Sequence, residues 1–146
     1  MSRALHIDGE VEIPSDFDFA DLRAVAEQLV EPSALLAGRE IAAIRLTTLL
    51  ELAGAHAGAQ SIVCESEDGA YVTTLPIEAA RDCVILYRVG ESPLPRGLGG
   101  PFRLVTGGRV GAGDVKALGT LYVSERRFVD VDDTERVCVR VTTRAA

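Results

Sequence analysis

The chain has little with which to bind nucleic acid, build a disulfide framework or cross a membrane. Its 146 residues contain one lysine, Lys116, and fourteen arginines against twenty-two acidic residues, for a formal net charge of −7. The sequence pI of about 4.8 lacks the basic balance that general nucleic-acid binding requires. Three cysteines, Cys64, Cys83 and Cys138, are widely spaced and odd in number. That pattern argues against a disulfide framework. No CxxC occurs, and His6 and His56 do not fall at ligand spacing with the cysteines, so no metal site is expected. His56 reads as a solvated surface residue. No apolar run approaches membrane-span length. The start, MSRALHIDGE, lacks the apolar core of a signal peptide, and the expected location is the cytoplasm.

What is present is an ordinary globular composition, 47% hydrophobic and 25% charged, long enough for one domain with a sizeable core. Leu5 to Pro14 reads as a hairpin turning at Asp8-Gly9. Ser15 then offers an N-cap. Leu22, Val25, Ala26 and Leu29 recur at i, i+3, i+4 and i+7, which predicts a helix over 17–29. Pro32 makes Val30 to Leu36 an edge strand or an irregular segment. Glu40 to Arg45 reads as a strand. Thr48 and Glu51 form a capping-box pattern, and Gly54 suits a helix C-terminus, so a helix is expected over 47–53. Strands are expected at 61–66 and 70–75 around Glu67-Asp68-Gly69. A short helix at 76–81, opened by Pro76, should follow.

Cys83 to Val89 is nearly all apolar and predicts a strand covered on both faces. Phe102 to Thr106 and Ala117 to Val123 should be further strands. A terminal hairpin is expected over 127–143, where Val137, Val139 and Val141 alternate with polar or small neighbours. The whole, residues 1–146, reads as a single α+β domain: a mixed β-sheet with three short helices.

One stretch stands apart. Leu94 to Lys116, LPRGLGGPFRLVTGGRVGAGDVK, holds seven of the fourteen glycines together with Arg96, Arg103, Arg109 and Lys116. Glycine allows close backbone approach and positive φ. Successive N–H groups can cradle an anion, and arginine can meet phosphate with two N–H bonds. The stretch is equally consistent with a charged surface loop.

Several segments, in one order, carry a family resemblance. They are LHIDGEVEIP, IAAIRLTTLLELAG, CESEDGAYVTTLPIEAA, CVILYRVGESPL, GGPFRLV and DVKALGTLYV. Over about residues 5–123 the chain resembles the molybdopterin-binding domain of the sulfite-oxidase family. The resemblance implies that fold, and it implies molybdopterin as cofactor. In that family the arginine and lysine of these elements hold the pterin and its phosphate. The roles map onto Arg103 and Lys116, with Gly99, Gly100 and the backbone at Asp114 and Val115 beside them.

The chain departs from the family at the metal. The family's molybdenum is bound by a cysteine just before the IAAIRLTTLL segment. Here that stretch is LVEPSALLAGRE, without cysteine, and Ser33 is its nearest polar side chain. A serine hydroxyl is a harder and less acidic donor than a thiolate. The histidine that often precedes the family's glycine-proline turn is also missing, and Leu98 stands before Gly99. No catalytic residue is assigned. Two readings stand. One is a molybdopterin-dependent oxidoreductase domain, working with a redox partner protein. The other is a non-catalytic module of the same fold for a pterin-like or other anionic ligand or for a partner protein, and the sequence is as consistent with no cofactor as with molybdopterin.

Overall fold

The computed structural model describes residues 4–32, 40–107 and 113–126. Ser33, Arg109, Cys138 and the expected terminal hairpin lie outside the described residues.

Among the described residues ten strands form two sheets. The first has the order β2 (Ser15–Phe17), β1 (Leu5–Gly9), β10 (Leu118–Ser124), β5 (Ser61–Ser66), β6 (Val72–Pro76). The second has the order β3 (Leu29–Pro32), β4 (Glu40–Arg45), β7 (Val84–Val89), β8 (Ser92–Pro93), with β9 (Arg103–Val105) also paired to β7. Among the described residues only β1 and β10 pair in parallel, with His6 opposite Thr120 and Gly9 opposite Val123. All other pairings between named strands are antiparallel.

The two sheets share one core. Leu5 and Ile7 of β1, Ile62 and Cys64 of β5, and Leu121 and Val123 of β10 enter it from the first sheet. Ala42 and Ile44 of β4 and Ile85 and Tyr87 of β7 enter it from the second. The period of two in each strand sets this arrangement. The intervening residues Ile41, Ala43 and Leu86 are buried on the other face, in a second cluster with Leu94 and Val105, and a register shift between Ala42 and Ala43 in the β4–β7 pairing turns Val89 to that face as well. The apolar runs of β4 and β7 therefore reflect burial on both sides.

Helix α2 (Leu46–Ala53) closes the core with Leu46, Leu49, Leu50 and Ala53, the i, i+3, i+4, i+7 stripe. It ends at Gly54, which is left-handed at φ 73°. The expected capping box does not form. Arg45 occupies the N-cap without a side-chain bond, and the Thr48 hydroxyl donates instead to Glu27 Oε1 at 2.9 Å.

The first thirty residues differ most from expectation. No hairpin forms at Asp8-Gly9. Gly9 takes φ 93° and the next N–H, that of Glu10, donates to Val123 O at 2.8 Å. The turn thus serves the pairing with β10, and Val11 bridges to Ala55 instead. Helix α1 is short, Phe19–Arg23, and its cap is Asp18, locked to Asp21 in a reciprocal capping box. It stops early because the Gln28 side chain folds back, donating to the carbonyls of Leu22 and Val25. Gln28 in turn accepts the buried Tyr87 hydroxyl at 2.6 Å. Leu29–Pro32 is the edge strand that Pro32 suggested. The helix expected after Pro76 is a 3₁₀ turn, Ile77–Asp82.

Candidate functional site

The glycine-rich stretch folds back on itself. Pro95 precedes a 3₁₀ turn, Arg96–Leu98, which ends at Gly99 with φ 92°. The N–H of Gly99 donates to Arg96 O and that of Gly100 to Pro95 O, both at 2.9 Å. A methyl group at Gly100 would lie 1.8 Å from Leu94 O, so only glycine fits. The Gly100–Pro101 peptide is cis. Phe102 is buried, and β9 then pairs with β7.

The return segment, Asp114 to Leu118, is stitched alongside. Leu104 and Val115 exchange both backbone bonds at 2.9 Å. Ala117 donates to Gly99 O at 2.8 Å and Leu118 to Phe102 O at 2.7 Å. Ala117 sits at φ 50°, a strained conformation for a residue with a Cβ.

This stitching brings Gly99, Gly100, Arg103, Asp114, Val115 and Lys116 into one place. A Cβ added at Gly99 would meet Arg103 Cδ at 2.8 Å and Lys116 Cγ at 3.1 Å. The bare backbone of Gly99 is thus what lets the two basic side chains converge. Their environments differ. The Arg103 guanidinium is buried: Nε lies 2.9 Å from Asp114 Oδ2 and Nη1 donates to Leu98 O at 3.0 Å. Arg96 pairs with Glu67 Oε1 at 2.8 Å. Lys116 is exposed, and among the described residues it makes no ion pair.

The N–H groups of Gly99, Gly100 and Val115 all donate inside the protein. The cradle of free N–H groups expected from the glycines does not form at these three positions. The glycines serve close packing instead.

The described cysteines stand apart from this stretch. Cys64 is fully buried in the core, and burial pushes its thiol pKa up. Cys83 is also buried, its thiol pushed up by desolvation, with Sγ 3.2 Å from Ala79 O. Neither presents a thiolate.

Other concavities among the described residues lie elsewhere. A groove of about 810 Å³ runs between β2, α1 and α2, and its charged lining is all acidic: Asp16, Asp21, Glu27 and Glu51. A hollow of about 540 Å³ is lined by His6, Glu65, Glu67 and Asp68. Both would repel an anion on their own charge. The second touches the glycine stretch through the Arg96–Glu67 pair and a bond from Glu67 N to Ala117 O at 2.7 Å.

No helix among the described residues is long and apolar enough to cross a membrane. Comparison with curated proteins gives no match. Among solved structures the chain is similar to the sulfane dehydrogenase SoxCD from Paracoccus pantotrophus, with a TM-score of 0.69 and 22% identity. The likeness covers 92% of this chain and 41% of that one, so the chain spans less than half that protein's length. At this identity it speaks for the fold alone. The model of the oxidoreductase molybdopterin binding domain matches residues 33–131, more than half of the chain, and the chain belongs to that family.

Proposed function

We propose that the chain is a phosphate-anchoring module on the molybdopterin-binding fold, with Lys116 as the charged contact and Arg103 as the residue that positions it. One observation carries the reading. Of the four basic residues in the glycine stretch, Arg96 and Arg103 are engaged in ion pairs and Arg109 lies outside the described residues. Lys116 alone is described as exposed and without an ion pair, and it leans on Gly99. An ammonium is a compact point charge suited to a phosphate. Gly100, Asp114 and Val115 act by shape, holding the two segments that frame it.

Among the described residues the stretch suits the phosphate end of a molybdopterin and brings no thiolate beside it for molybdenum. The stretch before β4 has no cysteine, and Cys64 and Cys83 are core residues. The fit favours binding without metal-centred turnover. Oxidoreductase activity would then belong to a separate redox partner protein, with this chain as the binding subunit.

The test is expression of the untagged chain in a host that makes the cofactor, followed by pterin fluorescence and molybdenum analysis. The expected result is bound pterin, or failing that a thermal shift with phosphate-bearing ligands, lost in Lys116→Ala. Stoichiometric molybdenum with turnover would overturn the non-catalytic reading. Absence of pterin and of any shift would overturn the binding reading.

A further inference from the structure

A second group of side chains gathers away from the glycine stretch, where three backbone segments meet. Glu10 and Glu12 lie between β1 and β2, His56 in the connection from α2 to β5, and Glu125 just after β10. His56 Nδ1 is 3.5 Å from Glu10 Oε1 and 3.6 Å from Glu125 Oε2. Its other nitrogen, Nε2, is 3.4 Å from Glu12 Oε2. One ligand atom from each of Glu10, His56 and Glu125 falls within 4.8 Å of the others.

These separations exceed the ordinary N–H···O bond of about 2.9 Å. They suit two ligands of one tetrahedral zinc, whose bonds of about 2.0–2.2 Å place neighbouring ligand atoms roughly 3.3–3.6 Å apart. Glu12 lies on the Nε2 side of the ring, 3.4 Å away, the side on which a ligating histidine's remaining N–H usually finds a carboxylate. Among the described residues no arginine or lysine pairs with Glu10, Glu12 or Glu125. One imidazole therefore faces three carboxylates, an excess of negative charge that a divalent cation would balance.

The backbone beneath is fixed. His56 N donates to Glu10 O at 3.0 Å, Glu12 N to Gly54 O at 2.8 Å and Gln60 N to Ser124 O at 2.8 Å. Gly54 and Gly58 permit the approach. A Cβ at Gly54 would meet Glu12 Cβ at 2.8 Å, and one at Gly58 would meet Glu125 Oε2 at 3.4 Å.

We infer that Glu10, His56 and Glu125 bind one borderline divalent cation, Zn²⁺, with Glu12 orienting His56 and water completing the shell. The ion clamps the end of β10 and the α2–β5 connection to the segment between β1 and β2. No reaction is assigned to it. Neither cysteine spacing nor histidine spacing could show this site, because its ligands come from three distant parts of the chain.

The test is calorimetric titration of the metal-stripped, untagged full chain with ZnCl₂, alongside thermal unfolding with and without the ion. One Zn²⁺ per chain and a raised Tm are expected. His56→Gln and Glu125→Gln should each weaken binding by about a hundredfold, and Glu12→Gln by about tenfold. Cys138→Ser should bind as the parent does, and the Co²⁺-loaded chain should show no thiolate-to-metal charge-transfer band. Circular dichroism checks that each variant is folded. Absence of binding by the parent chain, undiminished binding by His56→Gln, or loss of binding in Cys138→Ser would each overturn the assignment.

Discussion

Arg103 and Asp114 form a buried ion pair that joins β9 to the returning segment beside it, with Nε 2.9 Å from Oδ2 and side chains 6% and 1% exposed. Two charges removed from water together hold each other; either left alone is strongly destabilising. Arg103→Ala should therefore lower the free energy of unfolding by about 3–5 kcal/mol, read by urea denaturation. Arg103→Lys should not rescue it, because an ammonium cannot reach both Asp114 and the Leu98 carbonyl in the same fork. A loss below about 1 kcal/mol, the value of an exposed pair, would show that the pair is solvated.

Lys116 separates function from stability. Its exposed charge makes no ion pair among the described residues, so Lys116→Ala should change stability by no more than about 0.5 kcal/mol. The same change should abolish any thermal shift produced by phosphate-bearing ligands. Arg96→Ala, which removes a cation already paired with Glu67, should leave most of that shift intact. In the parent chain the shift should shrink as salt rises, since an exposed ammonium is screened over about 8–10 Å at physiological ionic strength. A shift insensitive to salt and to Lys116→Ala would move the binding point elsewhere.

Two glycines three residues apart, Gly97 and Gly100, should behave in opposite ways. At Gly100 a methyl group would lie 1.8 Å from the Leu94 carbonyl oxygen, a backbone atom that cannot step aside. Gly100→Ala should cost more than 4 kcal/mol or prevent folding, in the class of severe overpacking. At Gly97 nothing lies within 4 Å. Gly97→Ala should be neutral or stabilising by about 0.4–1 kcal/mol, through a less flexible unfolded chain. Soluble yield and denaturation midpoints of the two variants check the contrast.

Cys64 predicts an alkaline weakness. Burial raises its folded pKa above the ordinary thiol value, with a smaller contribution from Cys83. The folded state thus favours the neutral thiol. Its contribution is full below about pH 8.5, the unfolded thiol pKa, and falls as pH rises beyond it, because only the unfolded chain ionises freely. Stability should decline above that pH, and Cys64→Ala should flatten the decline at the expense of a small cavity. Native Cys64 should resist thiol reagents at neutral pH until the chain is unfolded, as judged by mass-resolved labelling.

Local signals in the sequence carried the middle of the chain well. The stripe Leu46, Leu49, Leu50, Ala53 lies within one helix that Gly54 terminates, and β4, β5 and β7 follow from short apolar runs. What depended on distant partners was not legible. The Asp8-Gly9 turn looks like a hairpin until β10 is available to pair with β1. The 17–29 periodicity looks like one long helix until Gln28 is drawn inward by Tyr87. The candidate site shows the same division. Arg103, Asp114 and Lys116 could each be named from motif resemblance, but nothing in their spacing says that Arg103 pairs with Asp114 while Lys116 stays outside. That outcome depends on the burial of β9.

The parallel pairing of β1 with β10 also bears on how the molecule comes into being. Leu5 and Ile7 are fully or almost fully shielded in the finished protein, yet the strand beside them, Leu118 to Ser124, leaves the ribosome long after they do. Until then the growing chain carries an open strand edge and two uncovered aliphatic side chains, the features that invite unwanted association. A contact this remote in sequence also slows the search for the native arrangement. Closure of the first sheet is therefore a late event, and the fold is complete only when the return segment and the strand that follows it have both been made.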